Sequence, residues 1–192
     1  MTTTRILEIL AAGFGIGAVW FNSRQNPLGW PTGLVNVGLY TYLFFAGKLY
    51  ALMGLQVFFL AISIYGWHQW VRGGQKRAGI TVSTTPKGLG LVLAVGTMVA
   101  GLGLGWFLDR YTGDRQPYLD AGVSVVSLAA HWMMARKYVE TWWIWIGVNL
   151  VSVPLFIGRG DYPTAVQYSV FLGLAVSGLV QWRRSLAVAS RY

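Results

Sequence analysis

The sequence predicts an all-α integral membrane protein: seven transmembrane helices forming two parallel three-helix repeats joined by a linker helix. Three observations point there. The composition is too apolar to coat a soluble surface, the chain divides into seven apolar stretches of spanning length, and it matches itself at a fixed offset. Of its 192 residues, 55% are hydrophobic and 11% charged, whereas a soluble domain carries about 25% charged residues. Since roughly 20 apolar residues cross a bilayer, the length accommodates seven crossings and almost no soluble domain.

The first stretch covers residues 6–22. Arg5 ahead of it resembles the start of a signal peptide, but the segment has a counterpart deep inside the chain, so it is read as a retained span. The second covers 30–46, and the third, 49–70, is the most aromatic of the first half. A basic loop follows over 72–87 and ends in Thr85-Pro86, a helix restart signal. The fourth span, 88–108, is rich in glycine; a turn over 111–117 leads to the fifth (118–135), the sixth (141–157) and the seventh (163–182). Each is predicted helical, because amides in hydrocarbon must bond within their own segment and no barrel-type alternation is present.

At an offset of 112 residues Trp20 falls on Trp132, Trp30 on Trp142, Tyr50 on Tyr162, Phe59 on Phe171, Gly66 on Gly178, Gln69 on Gln181 and Trp70 on Trp182. Apolar matches come cheaply in membrane proteins, but tryptophan repeatedly on tryptophan in one ungapped register does not. Spans one to three therefore recur as spans five to seven. The division is 1–80 for the first triplet with its basic loop, 81–112 for the linker and 113–192 for the second triplet. Four crossings separate equivalent spans, so the triplets are parallel, and transport sites tend to lie near the midplane at such repeat interfaces.

The net charge of +9 sits between the spans and not along a polar face, a pattern of lipid headgroup contact that excludes a nucleic-acid partner. Ten Lys and Arg, among them Arg24, Arg72, Lys76, Arg77, Arg136, Lys137 and Arg191, lie on one side. Five, Arg5, Lys48, Arg110, Arg115 and Arg159, lie on the other, mixed with Glu8, Asp109, Asp114 and Asp161. The richer side is predicted cytoplasmic, with the N-terminus outside and the C-terminus inside an inner membrane. There is no cysteine, and isolated histidines and scattered acids make no metal site. No cofactor is expected.

In the sixth span Trp142, Trp145 and Asn149 step by three and four and so share one helix face. Two indoles and an amide suit a flat or cationic ring, stacked on its face and bonded at its edge. Gln56 places a second amide at membrane depth, where an unpaired polar group is costly. The third span ends in Tyr65-Gly66-Trp67-His68-Gln69-Trp70, and His131 stands in the fifth. The plainer readings are helix–helix bonding for Gln56 and His131, capping for Glu8 and Asp120, interfacial anchoring for Trp30, Trp70, Trp106 and Trp182, and close packing for Gly13, Gly17, Gly101 and Gly105. An enzyme would need converging acid, base and nucleophile or metal groups, which the spans do not offer, and a retinal receptor would need a lysine in the last span.

Lys48-Leu49-Tyr50, Gln56-Val57-Phe58, Tyr65-Gly66-Trp67-His68-Gln69-Trp70, Tyr118-Leu119-Asp120-Ala121, Ala135-Arg136-Lys137 and Trp142-x-x-Trp145-x-x-x-Asn149 together resemble the PnuC-type vitamin transporters, best known for nicotinamide riboside. The resemblance runs in order over nearly the whole chain. It implies a three-plus-one-plus-three fold akin to the SWEET proteins, facilitated diffusion of a vitamin precursor trapped inside by phosphorylation, and a homotrimer. Cargo in the family is nicotinamide riboside, thiamine, riboflavin or a deoxynucleoside. By position, Trp142, Trp145, Asn149 and Gln56 would line the site, with Tyr65 and Trp67 nearby. The chain departs from the pattern at His131, where the fifth-span run Ser127-Leu128-Ala129-Ala130-His131 would end in Gln.

Overall fold

The computed structural model describes residues 3–74, 79–113 and 116–189. They form seven helices: α1 Thr3–Ser23, α2 Gly29–Ala46, α3 Tyr50–Arg72, α4 Lys87–Tyr111, α5 Pro117–Ala135, α6 Thr141–Gly158 and α7 Tyr162–Ala189. No strand occurs among the described residues, only an isolated parallel bridge between Ser83 and Tyr138. The helix ends fall within three residues of those expected, save that α7 continues to Ala189, past Trp182. Its last turns carry Arg183 and Arg184 beyond the apolar stretch. Lys76, Arg77, Asp114, Arg115 and Arg191, which enter the charge count, lie outside the described residues.

By length and apolar composition alone, α1, α4, α6 and α7 can each cross a membrane. The other three helices are diluted by polar residues, Asn36 in α2, Gln56, Ser63 and His68 in α3, and Ser127 and His131 in α5. Most of these turn toward neighbouring helices. Asn36 Nδ2, for example, donates to Ala11 O of α1 at 2.7 Å.

The repeat is visible in the backbone. Left-handed residues occur at Gln25 and Lys137 and again at Lys48 and Gly160, two pairs related by the same offset. They close α1 and α5 through Asn26 N–H to Phe21 O (2.9 Å) and Tyr138 N–H to Met133 O (3.0 Å), and α2 and α6 through Leu49 N–H to Phe44 O (2.8 Å) and Asp161 N–H to Phe156 O (2.9 Å). These are helix stops built on one left-handed residue. Within the triplets α1 packs on α2 and α2 on α3, as α5 does on α6 and α6 on α7. Between them α1 meets α7 and α3 meets α5, contacts that are each other's equivalents. Helix α4 packs on α5, where Gly101 approaches Gly122 and Gly105 lies against the Tyr118 ring, and its Leu91, Val92, Met98 and Leu102 are left facing outward. In α1, Gly17 approaches Thr32, but Gly13 faces open space, and the close contact passes to Gly15 against Asn36.

The tryptophans expected to anchor at the interface form the core instead. Trp30 meets Trp70 edge-on (5.4 Å, 84°), Trp142 meets Trp182 likewise (5.4 Å, 88°), and Trp70 touches Trp182 (5.8 Å) where the triplets join. All four rings are buried. An indole prefers the interface because its N–H needs a polar partner. Here Trp70 Nε1–H finds Met134 O at 3.2 Å and Trp182 Nε1–H finds Asn22 O at 3.1 Å. Positions 22 and 134 are themselves equivalent, so each triplet donates an indole N–H to a helix end of the other. Of the four expected anchors, Trp106, 57% exposed, keeps an outward position.

Of the two acids expected at helix starts, Glu8 comes after the first turn of α1, whereas Asp120 stands in the first turn of α5, where a carboxylate meets the helix dipole. Asp120 also accepts from Arg159 Nη2 at 3.0 Å, tying α5 to the α6–α7 turn. The 79–86 segment of the basic loop docks on the α5–α6 turn. Ser83 N–H donates to Lys137 O and Val139 N–H to Ser83 O, both at 3.0 Å, and Glu140 Oε2 accepts from Thr85 N–H (2.9 Å) and Thr85 Oγ1 (2.7 Å). Val82 of this segment joins the tryptophan core.

Candidate functional site

Each inner helix presents a stripe with the three-four spacing of a buried face. On α3 it reads Gln56, Phe59, Ser63, Gly66, Trp70, and on α7 Tyr168, Phe171, Ala175, Gly178, Trp182. On α2 it reads Trp30, Gly33, Val37, Tyr40, Phe44, and on α6 Trp142, Trp145, Asn149, Ser152, Phe156. On α2 and α6 both ends of the stripe obey the repeat, Trp30 with Trp142 and Phe44 with Phe156, and on α3 and α7 the tryptophans, the glycines and Phe59 with Phe171 match. Between the matched positions the repeat breaks: Gly33 faces Trp145 in the comparison, Val37 faces Asn149, Tyr40 faces Ser152 and Ser63 faces Ala175, while Gln56 faces Tyr168 at the end of the α3 and α7 stripes. Packing needs are shared by the two halves, so a band of mismatches between two matched layers marks where something other than packing selected the residue.

That band is polar on α6. Among the described residues the buried side-chain atoms without a hydrogen-bond partner are Asn22 Oδ1, the indole nitrogens of Trp30, Trp142 and Trp145, and Ser152 Oγ. Three of the five lie on the single α6 stripe. Asn149 between them is 2% exposed. An unmet buried donor or acceptor costs about 1–3 kcal/mol, so a stripe of them fits a surface awaiting a ligand better than a finished core. Trp143, Leu150 and Val151 on the opposite face are exposed to the lipid side.

The expected site residues separate accordingly. Trp145 packs half-buried beside the core, while Trp142, 0% exposed, has its ring against Gly178 and its edge on Trp182. Gln56 is half-buried on the inner face of α3. Tyr65 accepts a hydrogen bond from Arg136 Nη1 at 3.2 Å, which joins α3 to the end of α5. Trp67, 43% exposed, stands with Ile64 and Val71 on the outer face of α3, away from the stripe. His131 Nε2 lies 3.0 Å from Ser63 Oγ, with the Trp30 and Phe59 rings edge-on at 5.3 Å. Its equivalent is Val19 and that of Ser63 is Ala175, so one triplet contact is polar and the other apolar. Ser63, Ser152 and Tyr168 escaped sequence reasoning, although Ser152 continues the α6 spacing by one further step and all three break the repeat.

Comparison with known proteins decides the family. Residues 5–184 match the family described as nicotinamide mononucleotide transporter. The chain belongs to the nicotinamide mononucleotide transporter family. Within the family it is similar to the nicotinamide riboside transporter PnuC of Escherichia coli (strain K12), 32% identical over 93% of this chain and 85% of the relative. It also resembles the riboflavin/roseoflavin transporter RibM of Streptomyces davaonensis, 31% identical over 83% of this chain and 76% of the relative. The fold matches the crystal structure of the vitamin B3 transporter PnuC with a TM-score of 0.75 at 24% identity, over 94% of this chain and 82% of that one. The family's membrane-transporter fold thus agrees with the seven-helix architecture inferred from composition and repeat.

Proposed function

We propose that this chain carries nicotinamide riboside into the cell by facilitated diffusion, with metabolic trapping inside. The observation that carries the reading is the α6 stripe, on which the indole nitrogens of Trp142 and Trp145 are buried without a partner in the protein and the Asn149 amide is buried beside them. A pyridinium ring stacks on Trp145 as cation on π-face. Asn149 and Gln56 bond its carboxamide or ribose hydroxyls, Trp142 holds the floor beneath, and His131 stands across the triplet contact. A mononucleotide fits less well than a riboside, because its phosphate calls for Arg or Lys and α6 contains neither.

The relatives named for nicotinamide riboside support this cargo. A second reading, riboflavin, rests on the Streptomyces relative; it shares the flat ring and hydroxylated arm. The loop charges support an inner-membrane protein with its N-terminus outside. Residues 1–80 and 113–192 would rock as units about the site, 81–112 riding on the second, and copies would associate as a trimer. The protein acts by carriage, not catalysis.

Trp145→Ala and Asn149→Ala are each expected to weaken nicotinamide riboside binding about tenfold or more, through lost stacking and burial or lost hydrogen bonds. Calorimetry on purified protein, with uptake into vesicles alongside, checks this. Undiminished binding in either variant defeats the assignment of the site, and a wild-type protein that binds riboflavin but not nicotinamide riboside moves the cargo to the second reading.

A further inference from the structure

We infer that Lys137 is an anion site: its ammonium takes a phosphate group from the solution on the side where the four tryptophans meet, and the occupant braces the seam between the triplets. Lys137 stands in the α5–α6 turn, beyond the spanning helices, and is 8% exposed. Its Nζ lies 4.6 Å from the centre of the Trp70 ring. A ring face attracts the charge, but the ammonium has three N–H donors, and among the described residues none of them finds a hydrogen-bond or carboxylate partner. Burial alone pushes its pKa below the usual lysine value.

The chain's own acids do not supply the missing charge. Five of the six, Glu8, Asp109, Asp114, Asp120 and Asp161, belong by sequence to the opposite side. The sixth, Glu140, is taken up by the Thr85 N–H at 2.9 Å and Thr85 Oγ1 at 2.7 Å. The repeat sharpens the contrast. Gln25 is the equivalent of Lys137 and shares its left-handed backbone. Gln25 Nε2 donates to Ser185 Oγ of α7 at 2.8 Å, across the seam. Position 185 corresponds to 73, and residue 73 is glycine. One half therefore pairs a neutral donor with a built-in acceptor. The other has a charged donor and, at the acceptor's position, no side chain.

Arg136 beside Lys137 and Arg72 at the end of α3 add positive charge to this seam, and a lysine meets phosphate as a point charge. The source is the solution and not a lipid headgroup. Trp67 and Trp143 mark the outward flanks, 43% and 52% exposed, whereas Lys137 is packed on Trp70 and its carbonyl accepts the Ser83 N–H at 3.0 Å. Lys137 belongs to the second triplet and Trp70 beneath it to the first. An anion binds its ammonium more tightly where the closed seam excludes water than where the open seam hydrates it, so it shifts the protein toward the closed seam.

The test is calorimetry of inorganic phosphate on the purified full chain in detergent at constant ionic strength. Lys137→Gln, which installs the residue of the equivalent position, is expected to weaken binding about tenfold or more, the loss of a charged hydrogen bond, and Lys137→Arg to keep most of it. Arg24→Gln removes a cation of the same side that lies 4.2 Å over the Trp20 ring and should leave binding unchanged. Thermal melts confirm that the variants fold. No saturable binding in the wild type, or equal loss in Arg24→Gln, overturns the site. Phosphatidylglycerol retained through Lys137 while free phosphate is ignored overturns the soluble source. This arm needs no cargo, so it stands or falls apart from the transport reading. In sided vesicles, phosphate on the loop side should slow uptake several-fold in the wild type and not in Lys137→Gln; phosphate that binds and leaves uptake unslowed overturns the bracing.

Discussion

Gly66 and Gly178 show at the scale of one residue how the repeat is enforced. Each receives the face of a tryptophan, Trp30 or Trp142, so closely that a Cβ would overlap the ring. No other residue allows the indole to lie flat on the neighbouring helix. Alanine at either position is therefore expected to destabilise the protein by about 1–3 kcal/mol, the usual cost of overpacking, and by similar amounts at both sites. Gly54, with open space at its Cβ, gains from alanine by roughly the helix-propensity difference of 0.8–1.0 kcal/mol. Thermal melting in detergent distinguishes the three. A tolerated alanine at Gly178 alone would mean that the second tryptophan is free to move and that the two halves are not packed alike. This is also where sequence reading reached its limit: Trp142 and Trp145 share one helix face in the chain, and the indole nitrogens of both are buried without a partner, so it is the glycine beneath Trp142 that sets core apart from site.

At the scale of elements, spacing and repeat made nearly everything legible. Apolar runs located the seven helices, and the offset of 112 predicted that α1 and α5 would end alike, as they do at Gln25 and Lys137. What stayed hidden was long-range. Tryptophan at a span end reads as an anchor because nothing local reveals the carbonyl of Asn22 or Met134 waiting on the other triplet. The basic loop likewise reads as polar and solvated, yet Val82 enters the core and Thr85 is held by the Glu140 carboxylate through two bonds. Glu140→Gln removes the charge that strengthens those bonds, each worth about 1.5–3 kcal/mol to a charged acceptor. The 79–86 segment should then detach more often, and trypsin should cut the 72–87 loop several-fold faster in native membranes. An unchanged cleavage rate would show that the backbone pairing of Ser83 with the α5–α6 turn is enough to hold it.

For the whole molecule, this docking has a mechanical consequence. The loop leaves the end of α3, in the first triplet, and pairs with a turn of the second, on the side where the four tryptophans meet. If the triplets rock about the central site, the tryptophan contacts and the loop pairing must open together when that side opens. The chain has no cysteine, so a pair can be introduced on a clean background. Ser83 and Tyr138 are bridge partners, and directly paired residues lie within the Cα separation of 4.4–6.8 Å that a disulfide spans. In the Ser83→Cys, Tyr138→Cys protein, oxidation should stop vesicle uptake and reduction restore it, while cargo binding from the opposite side persists in the oxidised form. Binding retained with transport lost is the signature of a locked gate, since a distorted site would lose both. Uptake that continues at the full rate after complete oxidation would show that this side opens without parting the loop from the α5–α6 turn, and would place the moving boundary at the α1–α7 and α3–α5 contacts alone.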